Sequence, residues 1–214
     1  MYYSIKLGGN EKENYMKMLK KLLGITIVSA ALCLAGCGEK PDKTVENSRF
    51  TITVGDEWKE VPIELVDGAI SIAKNNNEAI NVMPVPSQPG LENITIEEYK
   101  DLVEQGFEVQ PSMEVTTLEI QEKEIGDVIY FEGKTTTTKE MMEQNLEAGL
   151  INEEAIEAAG GIEAFEKGVV TEQVCMYYVN EGEIVAFTAQ ATNGAKIDDA
   201  KAELESIVET IVIK

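Results

Sequence analysis

The sequence predicts an α+β domain, and three observations carry that reading. Three pairs of segments follow one plan: a run of β-branched, aromatic and small apolar residues, a turn of Asn, Asp or Gly, then a second such run. That is the pattern of a β-hairpin. Two other segments set apolar residues at helical spacing behind capping residues. A further stretch, 139–168, has helical spacing and no strand pattern, and it interrupts the hairpins.

The folded part opens at Arg49, where Phe50, Ile52 and Val54 alternate with polar residues at the two-residue period of a half-buried strand. Gly55-Asp56 turns the chain, and Trp58 is expected over the end of the core. Ala69 to Ala73 and Ala79 to Val85 form the first strand pair around Asn75-Asn76-Asn77, residues that tolerate a tight reversal. Pro84, Pro86 and Pro89 are expected to forbid further regular pairing. Thr95 and Glu98 make a capping box, with Ile94 and Tyr99 as its hydrophobic staple. Tyr99, Leu102 and Val103 share one face of that helix, and Gly106 is expected to end it.

Val115 to Lys123 and Asp127 to Thr138 make the second hairpin, with Gly126-Asp127 in its turn. Val169 to Val179, Asn180-Glu181-Gly182 and Glu183 to Ala191 make the third. Asp198 is the expected N-cap of a last helix burying Ala200, Leu204, Ile207, Val208 and Ile211. Val212-Ile213-Lys214 closes the chain as a short strand.

The insert 139–168 holds eight glutamates and two lysines. Met142, Leu146 and Leu150 stand four apart, on one helical face. Asn152 is expected to cap a second helix with Ala155, Ile156 and Ala159, Gly160-Gly161 to break it, and Ile162 with Phe165 to form one more turn. Met141, Met142, Leu146 and Leu150 are candidate partner-binding residues, an adaptable apolar surface on an acidic helix. The competing use of the same stripe, and the commoner one, is to cover the domain's own sheet.

The N-terminus carries a different signal. Lys17, Lys20 and Lys21 precede the apolar run Leu22 to Leu34, and small residues lead into Cys37. That is the layout of a secretory signal. The run is too short for the roughly 20 apolar residues of a spanning helix. Leu34-Ala35-Gly36-Cys37 resembles the lipobox of bacterial lipoproteins, which implies lipidation of Cys37 and removal of residues 1–36. Met1 to Tyr15 overextend the positive region, so Met16 or Met18 is the expected start. Residues 37–48, polar and containing Pro41, are expected to be the lipidated cysteine and a tether, with one domain over 49–214.

The full chain of 214 residues has a formal charge of −21. Removing residues 1–36 takes five lysines and two glutamates, leaving 13 basic and 37 acidic side chains. Such a charge argues against nucleic acid as a partner, because phosphates are repelled, and against electrostatic docking of the domain on anionic lipid. Cys175 is then the one thiol left besides Cys37, so no intramolecular disulfide forms. The chain contains no histidine, which removes His-dependent nucleophilic catalysis and the commonest zinc ligand. Gly160-Gly161 lacks the strand and the Lys-Ser/Thr ending of a phosphate loop. Asp198-Asp199 and Glu153-Glu154 are conceivable calcium ligands, but favourable charge at helix N-termini is their commoner use.

The order strands, helix, two hairpins, final helix, with Arg49-Phe50-Thr51-Ile52-Thr53-Val54-Gly55-Asp56-Glu57-Trp58 at its head, resembles the PsbP-like family, including small DcrB-like lipoproteins. Ile94-Thr95-Ile96-Glu97-Glu98-Tyr99, Tyr130-Phe131-Glu132-Gly133 and Glu203-Leu204-Glu205-Ser206-Ile207-Val208 carry the rest of the likeness. The resemblance implies an antiparallel sheet with helices packed on its faces, an α/β/α sandwich, and an accessory or binding role. It assigns no site residue, cofactor or metal here.

The expectation is therefore a non-enzymatic accessory or binding protein, lipid-anchored to the cell membrane and facing outside the cytoplasm. Small-ligand or cation binding is the alternative, followed by a carboxylate-dependent hydrolase.

Overall fold

A computed structural model of the chain describes residues 43–61, 67–75, 77–86, 90–108, 112–147, 151, 153–158 and 160–214. Residues 1–42, with the expected signal and Cys37, and Pro89, Leu150, Asn152 and Ala159 lie outside the described residues. Among those described, no helix is long and apolar enough to cross a membrane.

The strands are β1 (Lys43–Glu46), β2 (Phe50–Val54), β3 (Lys59–Glu60), β4 (Ile70–Asn75) and β5 (Glu78–Val85), then β6 (Met113–Lys123), β7 (Gly126–Thr137), β8 (Val169–Asn180), β9 (Glu183–Thr192) and β10 (Val212–Ile213). The helices are α1 (Ile96–Glu108), α2 (Lys139–Glu147), α3 (Glu153–Ala158) and α4 (Ile197–Thr210), with a 3-10 turn at Ile162–Phe165. A seven-stranded sheet runs β3-β4-β5-β9-β8-β7-β6, and a three-stranded sheet runs β1-β2-β10. Every pairing is antiparallel. The α+β class and the antiparallel sheet packed with helices are therefore as expected.

Strand alternation sends side chains to both faces of the large sheet. On the first face Ile72, Ile80, Phe187, Val174, Met176 and Val128 pack against α4 residues Leu204, Ile207 and Val208. Phe50, Ile52 and Val54 of the small sheet complete that core. Trp58, 1% exposed, belongs to the same core. On the second face Phe131, Cys175, Tyr177 and Ala186 pack against Tyr99, Leu102 and Val103 of α1. The rings of Tyr99 and Tyr177 meet edge to face at 5.6 Å, a geometry the ring quadrupoles favour.

Local chemistry sets several elements as expected. Thr95 N–H donates to Glu98 Oε2 at 3.1 Å, and Glu98 N–H donates to Thr95 Oγ1 at 3.2 Å. This is the reciprocal capping box that starts α1. Glu181 and Gly182, at φ 47° and 83°, form the two-residue turn between β8 and β9. Both residues need left-handed backbone, as in a type I′ hairpin turn. Val212–Ile213 pairs with β2, so the short final strand is present.

Other expectations need correction. Lys43–Glu46, assigned above to the tether, is a strand paired in register with β2. Pro84 does not end pairing: it sits opposite Val185 within β5. The β4 pairing stops at Val82, so no ladder N–H is required of Pro84 on that side. Gly106 does not end α1, which runs on to Glu108 and buries Gly106. The turn between β6 and β7 is Glu124-Ile125, since Lys123 already pairs with Gly126. Asp198 is not the cap of α4. Lys196 holds that position without a side-chain hydrogen bond, and Asp198 and Asp199 lie in the first turn, where their charge suits the helix dipole.

Candidate functional site

The insert follows β7 and precedes β8. Met142 of α2 is 2% exposed and clusters with Ile156 of α3 and Phe165 of the 3-10 turn. Leu146, Ile151, Ile162 and Val169 pack around them. Of these seven residues only Val169 belongs to a sheet. The apolar stripe is therefore used within the insert. Met142 is withdrawn from the surface, Leu146 is partly buried beside it, and Met141 is half-buried. Among its described residues the stripe turns to the insert's own helical pieces rather than to the sheet, because three short pieces can bury apolar surface against one another. Gly160 and Gly161, at φ 94° and 84°, supply the left-handed backbone that brings the last piece round.

Two features outside the insert were not foreseen. The first is polar and buried. Ser71, Asn81 and Thr188 form one cross-strand row with Cys175, and Gln190 stands opposite Gln173. Thr192, Thr171 and Thr135 form a third row. All these side chains are buried, on the same sheet face as α1's core. Ser71 Oγ donates to Asn81 Oδ1 at 2.7 Å, and Gln173 Nε2 donates to Thr135 Oγ1 at 3.2 Å. Each partner offsets the cost of burying the other. Thr137 Oγ1, further along β7, is buried with no hydrogen-bond partner. The sequence signal was the Thr/Gln alternation at 135–137, 171–173 and 188–192, which reads equally well as a solvent face.

The second feature is a pocket of about 400 Å³ where β8 and β9 meet the start of α4. Val170, Ala191, Ala195 and Ile197 give it apolar walls, and Glu172, Lys196 and Asp198 add charge. The β9–α4 connection shapes it. Asn193 and Gly194, at φ 54° and 79°, reverse the chain, and Ala195 N–H closes the turn on Thr192 C=O at 3.0 Å. Thr192 N–H donates to Asn77 C=O at 2.8 Å, and Asn193 Nδ2 donates to Asn77 Oδ1 at 3.0 Å. The turn is thus fastened to the β4–β5 reversal. Lys74 fastens the first turn of α4, with Nζ 2.8 Å from Glu57 and 3.0 Å from Asp199. The first of these hydrogen bonds, against a lesser desolvation cost, raises the Lys74 pKa above the usual lysine range.

Within the pocket, Glu172 is held 2.6 Å from Lys134, and Val170 is 48% exposed, an unusual position for a large aliphatic residue. The lining supplies apolar surface and both signs of charge, but no hydroxyl, thiol or imidazole. General-acid chemistry by a carboxyl needs a water-excluding setting, and Asp198 is exposed. Asp199 is engaged by Lys74. Among the described residues no three acidic or cysteine side chains gather as a metal site.

On the first face, Lys201 of α4 sits 2.5 Å from Glu132 of β7, with its Nζ 5.5 Å from the Tyr130 ring centroid. The Tyr130 hydroxyl also donates to Glu132. Lys201 first, then Tyr130, holds the Glu132 carboxyl below its ordinary range. Burial first, then the Glu132 carboxylate, pushes the Tyr130 phenol up to about 12. This group ties α4 to the sheet.

No family model matches the chain, and no curated protein matches it. Solved structures of similar shape include cyanobacterial PsbP (CyanoP) from Synechocystis sp. PCC 6803, at 11% identity and TM-score 0.48, covering 85% of this chain and 97% of that one. The Saccharomyces cerevisiae Ran-binding protein Mog1p is similar at 12% identity and TM-score 0.48, covering 80% and 95%. LpqN, involved in cell envelope biogenesis of Mycobacterium tuberculosis, is similar at 11% identity and TM-score 0.41, covering 81% and 90%. At these identities and scores the likeness says nothing of what this chain binds.

Proposed function

We propose that the protein is a lipid-anchored extracytoplasmic binding module, held to the membrane through Cys37 and acting without catalysis. The pocket beside α4 is the observation that carries the binding reading. It is an open depression of about 400 Å³ that joins apolar walls to three charged groups, a size that small-molecule sites share. A small ligand, or one side chain of an envelope partner, fits that chemistry better than a reaction does.

The anchoring reading rests on the signal layout and on the start of the fold. Lys43 is already paired with Val54, six residues beyond Cys37, so a lipid there holds the domain close to its membrane. A diacylglyceryl group carries two chains, enough for stable anchoring where one is marginal.

Two measurements test these statements. Intact mass of membrane-extracted protein is expected to show diacylglyceryl on Cys37 and loss of residues 1–36, with Cys37→Ser abolishing both. A melting-temperature screen against amino acids, short peptides, sugars and divalent metals is expected to find a stabilising compound. Ala195→Trp, which fills the pocket, is expected to remove that gain and leave the unliganded transition in place. A gain that survives the substitution refutes the pocket as the site.

A further inference from the structure

The three-stranded sheet has an outward face unlike the rest of this acidic surface. Val45, Phe50, Ile52 and Val54 point into the core, so alternation turns Thr44, Glu46, Thr51 and Thr53 outward. Val212, opposite Thr51, shares that side and is 55% exposed. The one acid of the set, Glu46, is neutralised: Lys214 Nζ lies 3.5 Å from its carboxylate, and Thr51 Oγ1 donates to it at 3.4 Å. Arg49, exposed in the β1–β2 turn, stands at the same end, where Lys214 N–H donates to its carbonyl at 2.9 Å. A protein with 39 acidic side chains thus presents here three threonines, a valine, a paired glutamate and an arginine that forms no ion pair among the described residues.

This face belongs to the sheet at which the tether enters the fold. Six residue steps separate Cys37 from Lys43, a reach of at most about 20 Å, whereas a domain of this length is roughly 40 Å across. The tether is therefore too short to let the domain turn freely, and β1 has to stay near the headgroups. Anionic lipid repels the acidic surfaces and tolerates or attracts this one.

We propose that the outward face of β1-β2-β10, formed by Thr44, Thr51, Thr53 and Val212 with Arg49 at its end, rests on the anionic bilayer that carries the protein's own lipid. The inference depends on anchoring at Cys37 and is independent of the pocket. It sets the orientation of the domain, with the second face of the large sheet turned away from the membrane.

The test uses the full lipidated protein in vesicles of phosphatidylcholine and phosphatidylglycerol, with part of the lipid carrying a headgroup spin label. A bimane fluorophore is placed on Val212→Cys, on Thr53→Cys, or, as the distal control, on Ile120→Cys of edge strand β6. Ile120 pairs with Ile129 of the α1-facing core, on the opposite side of the large sheet. Labelling is selective, because Cys37 is blocked by lipid and Cys175 is buried. Quenching at Val212 and Thr53 is expected to exceed that at Ile120 at least threefold, with two positions guarding against one variant that misfolds. Equal quenching at all three positions in protein whose mass shows the lipid overturns the orientation alone. Protein without the lipid, floating free of the vesicles, overturns the anchoring reading and this inference with it.

Discussion

Replacing Met142 and Leu146 together by aspartate is expected to melt the insert and leave the domain folded. Met142 is 2% exposed and Leu146 is partly buried, both in the cluster with Ile156 and Phe165. Losing a buried Met side chain costs about 2–5 kcal/mol. Placing an ionised carboxylate in the same apolar site adds several kcal/mol more unless water enters. Among the described residues the cluster has three buried side chains, each contributing about 1.5–3 kcal/mol before chain entropy is set against it. The double substitution therefore exceeds what holds the insert together. The damage stays local because, among the described residues, Val169 alone of the cluster belongs to the sheet. Hydrogen exchange read by mass spectrometry is the assay, with limited trypsin digestion at Lys139 and Lys167 beside it. Amides of α2 and α3 should lose protection while β5, β7, β8 and β9 keep theirs. The main transition should fall by less than about 4 °C, which corresponds to 1 kcal/mol in a domain of this size. A single transition lowered by about 10 °C or more, with sheet amides exposed, would refute the claim that the insert is its own unit.

Three further outcomes follow from particular contacts. Gly182→Ala should destabilise by about 1–3 kcal/mol in urea titration, because φ is +83° and a Cβ would meet the Glu92 carbonyl oxygen at 2.5 Å; an unchanged midpoint counts against the hairpin-to-loop packing. Burial pushes the Cys175 thiol up to about 12, so a disulfide reagent at pH 8 should modify Cys175→Ser and wild type alike until urea unfolds the chain, whereupon wild type alone gains the Cys175 label. Glu132 is lowered in the folded state by Lys201 and Tyr130; its contribution is therefore complete above the ordinary glutamate value of about 4.3 and is lost as pH falls through the folded value. Glu132→Gln should thus cost about 0.5–1 kcal/mol at pH 7, the scale of a partly exposed ion pair, and much less at pH 2.5; an equal gap at both pH values would show that the carboxylate's charge is not what stabilises.

The elements legible in the sequence were those whose cause is local. The α1 cap lies within four residues of the apolar face it starts, and Glu181-Gly182 declares its own turn. The insert was legible as helices, since Met142 and Leu146 are one turn apart. Its destination was not, because an amphipathic stripe is identical whether it meets a sheet, a partner or two neighbouring helices. Asp198 was misplaced for a similar reason: Asp in the first turn and Asp at the cap are both favourable, and the backbone at Lys196 decides between them.

The polar rows were hidden by the same symmetry. Thr171 and Gln173 alternate with Glu172 and Val174, a pattern that marks a strand without saying which face is covered. The pocket needs two distant stretches, 170–172 and 191–198, to meet, with a third at Asn77 to hold them. Asn77 has to reach Thr192 across 115 residues before β9 and α4 enclose anything, and no window of sequence contains that contact.

What the sequence determined by itself is the class of the fold and the positions of most strands and helices; the anchor proposed at Cys37 rests on the same kind of local reading. Hydrophobic periodicity, capping and turn chemistry act between residues a few positions apart, and a signal is read as a linear segment. What only the tertiary structure decided is which faces are covered, where the pocket opens, and which strands form the small sheet with β1. Those depend on pairings such as Lys43 with Val54 and Lys214 with Arg49. The second of these brings Lys214 to the β1–β2 turn, and burial is a property of the layers such pairings bring together.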